Sequence, residues 1–83
     1  MRQKVLEELE HIPRGNAAQN ELRFIYFNRR MNSLGKKGKG EKTAKDILLE
    51  CIAQVKKEYP SFKPIYDKDY FDNINVPAKR WGK

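Results

Sequence analysis

TAKDILLECIAQVKKEYP, residues 43–60, is the stretch that decides the fold. Wound as a helix, Ala44, Ile47, Leu48, Cys51, Ile52, Val55 and Tyr59 fill one broad stripe, while Lys45, Glu50, Gln54, Lys57 and Glu58 face away. Apolar residues recurring every three and four positions mark a helix with one face against a core. Thr43, with Asp46 three residues on, supplies the start, because hydroxyl and carboxylate can each satisfy an open backbone N–H of the first turn. Pro60 supplies the stop, since its ring clashes with the preceding turn and it lacks an N–H. This segment is expected to be the central helix.

Upstream, Val5, Leu9 and Ile12 repeat at i, i+4 and i+7, with Glu7, Glu8 and Glu10 assigned to the other faces; Pro13 ends this short helix. Arg14-Gly15 is a turn, Asn16 an N-cap, and Gln19 is placed to complete a capping box. From about Ala17 to Leu34 the pattern is unusual. Phe24, Phe27, Met31 and Leu34 form one stripe of a helix, and Leu22, Ile25 and Tyr26 form another on nearly the opposite side. A helix apolar on two sides is either sandwiched in a core or keeps one face for a partner. The run Leu22-Arg23-Phe24-Ile25-Tyr26-Phe27 also reads as a short strand, so an α+β alternative with a strand at 22–27 stays open. Flanking residues favour a continuous helix.

Gly35-Lys36-Lys37-Gly38-Lys39-Gly40 continues neither neighbour and reads as a flexible basic loop. After Pro60 the character changes. Phe62, Tyr66, Tyr70, Phe71 and Trp81 are interleaved with prolines, lysines and aspartates without sustained period, which suggests an irregular wrap over the helices with one turn near Asp69. The fold class is therefore mainly α: a small three-helix domain over residues 1–76 with an aromatic-rich irregular C-terminal segment, and a mobile basic tail at 77–83.

Charge gives the functional lead. Residues 13–45 hold nine lysines and arginines against Glu21 and Glu41, and this window alone matches the net charge of +7; residues 1–12 sum to −1 and residues 46–83 to +1. A localised positive field attracts a polyanion. Arg14, Arg23, Arg29, Arg30, Lys36, Lys37, Lys39, Lys42 and Lys45 are the candidate phosphate ligands, with Arg80 beside Trp81 able to add a cation and a stacking ring. Arg23 and Arg30 lie seven apart on one side of a helix and so project together. The expected activity is non-enzymatic binding of DNA or RNA. The alternative is a small inhibitor or adaptor that docks through Phe24, Tyr26, Phe27 and Met31 on an acidic protein surface, such as one of a nucleic-acid-processing complex.

Other chemistries find little footing. Gly35 to Thr43 resembles a phosphate-binding loop, but Glu41 intrudes before Lys42-Thr43 and displaces both from nucleotide-binding geometry. One cysteine and one histidine, Cys51 and His11, make neither a disulfide nor a zinc site. Cys51 sits mid-stripe and reads as a small core hydrophobe; His11 reads as a surface residue without an acidic partner. No cofactor, metal or catalytic pair is expected, no apolar run spans a bilayer, and the cysteine usage fits the reducing cytoplasm. With 39% hydrophobic residues and a mean hydropathy of −0.90, the core is small, and docking on a partner or self-association is expected to add stability.

Overall fold

The computed structural model describes residues 2–35 and 43–74, and within them the regular structure is helical. Four helices follow one another: α1 (Arg2–Leu9), α2 (Ala17–Gly35), α3 (Ala44–Glu58) and α4 (Lys68–Ile74). Helix α2 packs along α3, α1 lies on α2, and α4 lies on α3. Residues 22–27 fall inside α2, so the strand alternative is not realised. The tail at 77–83 lies outside the described residues.

Helix α3 forms as its sequence dictates. The Asp46 amide donates to Thr43 Oγ1 at 3.2 Å and the Thr43 amide donates to Asp46 Oδ2 at 3.3 Å, closing the capping box. At the other end the Tyr59 amide reaches Val55 O at 2.9 Å before Pro60 stops the helix. Ala44, Ile47, Leu48, Cys51, Ile52 and Val55 are all buried. Tyr59 is the exception in the expected stripe; at the C-cap it stands 36% exposed. Opposite α3, Ala18, Leu22 and Tyr26 bury one row of α2, and Val5, Ile12, Phe62 and Phe71 close the core.

The cap of α2 is only half as expected. Asn16 Oδ1 accepts from the Gln19 amide at 2.9 Å, but the Gln19 side chain does not return to Asn16. It is buried, donates to Pro13 O at 2.8 Å and to Ile65 O at 2.6 Å, and accepts from the Ile65 amide at 3.1 Å. One primary amide thus satisfies both backbone groups of Ile65, as a neighbouring strand would, and moors the segment after α3.

The segment beyond Pro60 is more ordered than its composition implies. Asp67 caps a fourth helix: its Oδ1 accepts from the Tyr70 amide at 3.1 Å and its carbonyl from the Phe71 amide at 3.1 Å. The three-helix count and the single turn near Asp69 are corrected accordingly. Seven residues are too few to show an amphipathic period, and the cap is the only local signal. Phe71 is fully buried and meets Tyr26, Tyr66 and Tyr70 edge-on, with centroids 5.9, 6.0 and 5.2 Å away. His11 also departs from its expected role. Its ring stacks on Tyr70 at 3.6 Å, its Nδ1 lies 3.2 Å from Asp67 Oδ2, and its carbonyl accepts from the Asp67 amide at 2.9 Å.

Candidate nucleic-acid interface

The arginines of α2 divide by what they touch. Arg30 is fully buried, and so is Glu8 of α1. Arg30 Nε donates to Glu8 Oε1 at 2.8 Å and Nη2 to Oε2 at 2.6 Å, a two-pronged pair, while Tyr26 Oη donates to Oε1 at 2.6 Å. Burial by itself would lower the Arg30 pKa, but the hydrogen bonds and charge of Glu8 outweigh it and hold the guanidinium above its ordinary value. Burial, and then the Glu8 charge, push the Tyr26 phenol well above its usual range. Arg30 Nη1 is buried without a hydrogen-bond partner. Arg30 is therefore withdrawn as a phosphate ligand and Tyr26 as a docking residue, because both are fixed inside the domain.

Arg23 is also engaged. Its Nε donates to Ile12 O at 2.7 Å and its Nη2 reaches Leu9 O at 3.4 Å, a carbonyl that also accepts from the Ile12 amide at 3.0 Å, so it ties α2 to the chain at and just past the end of α1. Burial and then the nearby charge of Arg14 lower its pKa, which for a guanidinium leaves it charged. Arg23 and Arg30 do project together, as their spacing of seven requires. What they grip is α1.

Arg29 and Lys45 are different. Arg29 is 44% exposed, donates to Gln54 Oε1 and lies 3.6 Å from Glu50 Oε1. Lys45 is 40% exposed and pairs with Asp72, whose hydrogen bond and charge raise its pKa. Exposed ion pairs contribute only about 0–1 kcal/mol each, so a phosphate can take either cation from its carboxylate at little cost. The buried Glu8–Arg30 pair cannot be exchanged in this way; breaking such a pair costs about 3–5 kcal/mol. Arg14 is exposed but stands before α2, roughly 20 Å along the helix axis from Arg29, so it does not share a patch with it. Lys36, Lys37, Lys39 and Lys42, which join α2 to α3, lie outside the described residues, as do Arg80 and Trp81.

Of the stripe Phe24, Phe27, Met31, only Phe24 faces outward, and the other two pack against the edge of the core. Phe24 is 68% exposed, while Phe27 and Met31 are half-buried. With Leu6 and Leu9 of α1, and with Asn20 and Arg23, Phe24 and Phe27 line an open groove of about 300 Å³. The sequence reading missed the part that α1 plays, since Leu6 was not on its apolar stripe.

Cys51 is buried and its thiol is pushed up to about 12, chiefly by burial, which leaves the nucleophilic thiolate scarce. Among the described residues there is no group of three or more His, Cys, Asp or Glu that could hold a metal ion, and no helix is long and apolar enough to cross a membrane. Set against protein-family models, curated proteins and solved structures, the chain matches none of them.

Proposed function

We propose that this chain is a non-enzymatic nucleic-acid-binding protein that grips phosphates at the end of the domain where α2 gives way to α3. The supporting observation is the density of positive charge there. Lys36, Lys37, Lys39 and Lys42 stand against Glu41 alone between the two helices, flanked by Arg29 and Lys45 in pairs that a phosphate can displace. Residues 36–42 carry two glycines, Gly38 and Gly40, and α3 begins after them with Thr43 as its cap, so backbone N–H groups and a helix N-terminus add to the cations. Contacts of this kind hold the phosphate chain and carry no base code, so binding is expected to be weakly selective for sequence. Its one cysteine being a buried core residue, the chain is assigned by the same proposal to a reducing, intracellular compartment.

The test is a salt titration of binding to duplex DNA, single-stranded DNA and structured RNA. For a duplex, log K should fall linearly with log salt, by about 0.9 for each phosphate neutralised. Replacing Lys36, Lys37 and Lys39 together by Gln should flatten that slope by about two to three and weaken all sequences alike. No binding at low salt, or an unchanged slope in the triple variant, would remove the proposal.

The exposed ring of Phe24 beside its groove favours a second reading, in which the α1/α2 face docks on another protein. The two readings use different sides of the molecule and are compatible.

A further inference from the structure

We propose that the groove between α1 and α2 takes a short segment of a partner protein in which a bulky apolar side chain stands beside a carboxylate. The side chain fills the recess and the carboxylate meets Arg23 and Arg14. The inference rests on the second reading above, that this face docks on another protein, and adds what that partner must carry.

The apolar half of the site is the recess itself. Leu6 and Leu9 of α1 stand with Phe24 and Phe27 of α2 around about 300 Å³, room for one large apolar side chain. Phe24 is 68% and Leu6 39% exposed, so both rims are in water. An aromatic or aliphatic anchor seated between them leaves water and takes theirs away, which is how a few residues carry most of an interface.

The charge that lines the recess is Arg23. Its Nε and Nη2 are engaged by the carbonyls of Ile12 and Leu9, so the guanidinium is held in place, and Nη1 takes no part in either bond. Arg14 is anchored beside it. The Pro13 carbonyl accepts from Gln19, and the Gly15 amide donates to Oδ1 of Asn20, which also lines the recess. Burial first and then the charge of Arg14 lower the Arg23 pKa, which places the two cations close together.

Nothing within the domain neutralises them. Among the described residues no carboxylate forms an ion pair with Arg14 or Arg23. Glu21 is two residues from Arg23 and so on the other side of α2. The Tyr70 phenol is pushed up by burial, then by Glu8, then by Glu7, so Glu7 lies towards α4. Two like charges held together beside an apolar recess are relieved by an anion that arrives with the occupant.

The pair is also short, which selects the class of partner. The next charges back along the chain are Glu10 and Glu7, and Arg29 stands roughly 20 Å from Arg14 along the α2 axis. A nucleic-acid strand needs cations in series along its phosphates. One carboxylate beside one apolar anchor needs only this pair.

The test is a selection of random peptides, about 12 residues long and so able to cross the groove, displayed on phage. The whole chain is the bait, free of nucleic acid, and Phe24→Ser is used for counter-selection. Enriched peptides should carry Asp or Glu within one helical turn of Leu, Phe or Trp. As free synthetic peptides followed by fluorescence anisotropy, they should bind Phe24→Ser about thirtyfold more weakly or worse. Arg14→Glu should weaken them severalfold, as should replacing the peptide's acid by its amide. The chain with Lys36, Lys37 and Lys39 replaced by Gln should bind them unchanged. Phe24 and Arg14 are exposed, so circular dichroism should stay helical; if Phe24→Ser unfolds, Leu6→Ser interrogates the same recess. Peptides that need Phe24 but carry no acid, or ignore Arg14→Glu, overturn the proposal and leave the docking reading standing. No peptide that distinguishes Phe24→Ser from the unmodified chain overturns both. Loss of the peptide in the triple lysine variant assigns its binding to the α2–α3 end, and its displacement from that variant by single-stranded DNA assigns the recess to nucleic acid; either result overturns the proposal. Because the selection contains no nucleic acid, its failure leaves the phosphate proposal untouched.

Discussion

Replacing Arg30 by Ala separates a structural arginine from a phosphate ligand. The Glu8 carboxylate accepts three hydrogen bonds inside the domain, two from Arg30 and one from Tyr26, and both charged residues are at 0% exposure. At an effective dielectric constant near 20, opposite charges about 4 Å apart attract by about 4 kcal/mol. Removing one member of a buried pair costs a similar amount, about 3–5 kcal/mol, because the other is left charged and unpaired. Small domains hold stability near the lower end of about 5–15 kcal/mol, so Arg30→Ala should leave the protein close to half unfolded or worse. Urea denaturation followed by circular dichroism measures this. The combined variant Glu8→Leu, Arg30→Met, Tyr26→Phe leaves no buried charge or orphaned hydroxyl and should be far more stable than Arg30→Ala alone. If Arg30→Ala is within about 1 kcal/mol of the unmodified chain yet loses nucleic-acid affinity, then Arg30 is a ligand and the structural assignment is wrong.

Three further outcomes are expected. Cys51→Ala should cost about 1 kcal/mol or more through lost packing, and the native thiol should resist a soluble disulfide reagent; fast labelling would contradict its burial. Gln19→Ala should cost about 2–3 kcal/mol by orphaning the backbone groups of Ile65, and native-state exchange of the Ile65 amide should rise far more than that of the α3 amides. The pKa of Asp67 is held below its ordinary value, first by the Tyr70 amide and then by His11. Its stabilising contribution is therefore present above the unfolded value near pH 4 and is lost as pH falls through the folded value. Asp67→Asn should reduce the fall of the urea midpoint in that acid window, and an unaltered acid limb would count against the assignment.

The central helix was legible because three independent signals agreed over residues 43–60: the apolar period, the Thr43–Asp46 box and Pro60. Two buried charges were misread, although their spacing marked them. Glu8 stands three residues after Val5 and four before Ile12, on the buried side of α1, and Arg30 continues the buried row Leu22, Tyr26 by one more turn. A charge in register with an apolar row announces a buried pair only when its partner is in register too, and that requires knowing which helices meet. The same limit hid the His11–Asp67 contact and the Gln19–Ile65 clamp, whose members are 56 and 46 residues apart. Helix α4 escaped notice because its length is below that at which a period can be seen.

The polar contacts of α1 explain how so short a helix keeps one orientation. Apolar contact alone, from Val5, Leu9 and Ile12, would let α1 slide or turn along α2, since hydrophobic attraction has little direction. The two prongs of Arg30 fix the rotation at Glu8, and Arg23 fixes the far end through the carbonyls of Leu9 and Ile12. Leu6 and Leu9 are thereby held beside Phe24 and Phe27, which builds the groove. The basic window of the sequence thus divides in two. Arg30 and Arg23 hold α1 against α2, whereas Arg29 and Lys45 sit in surface pairs that are cheap to exchange and are the described cations on which the proposed function relies.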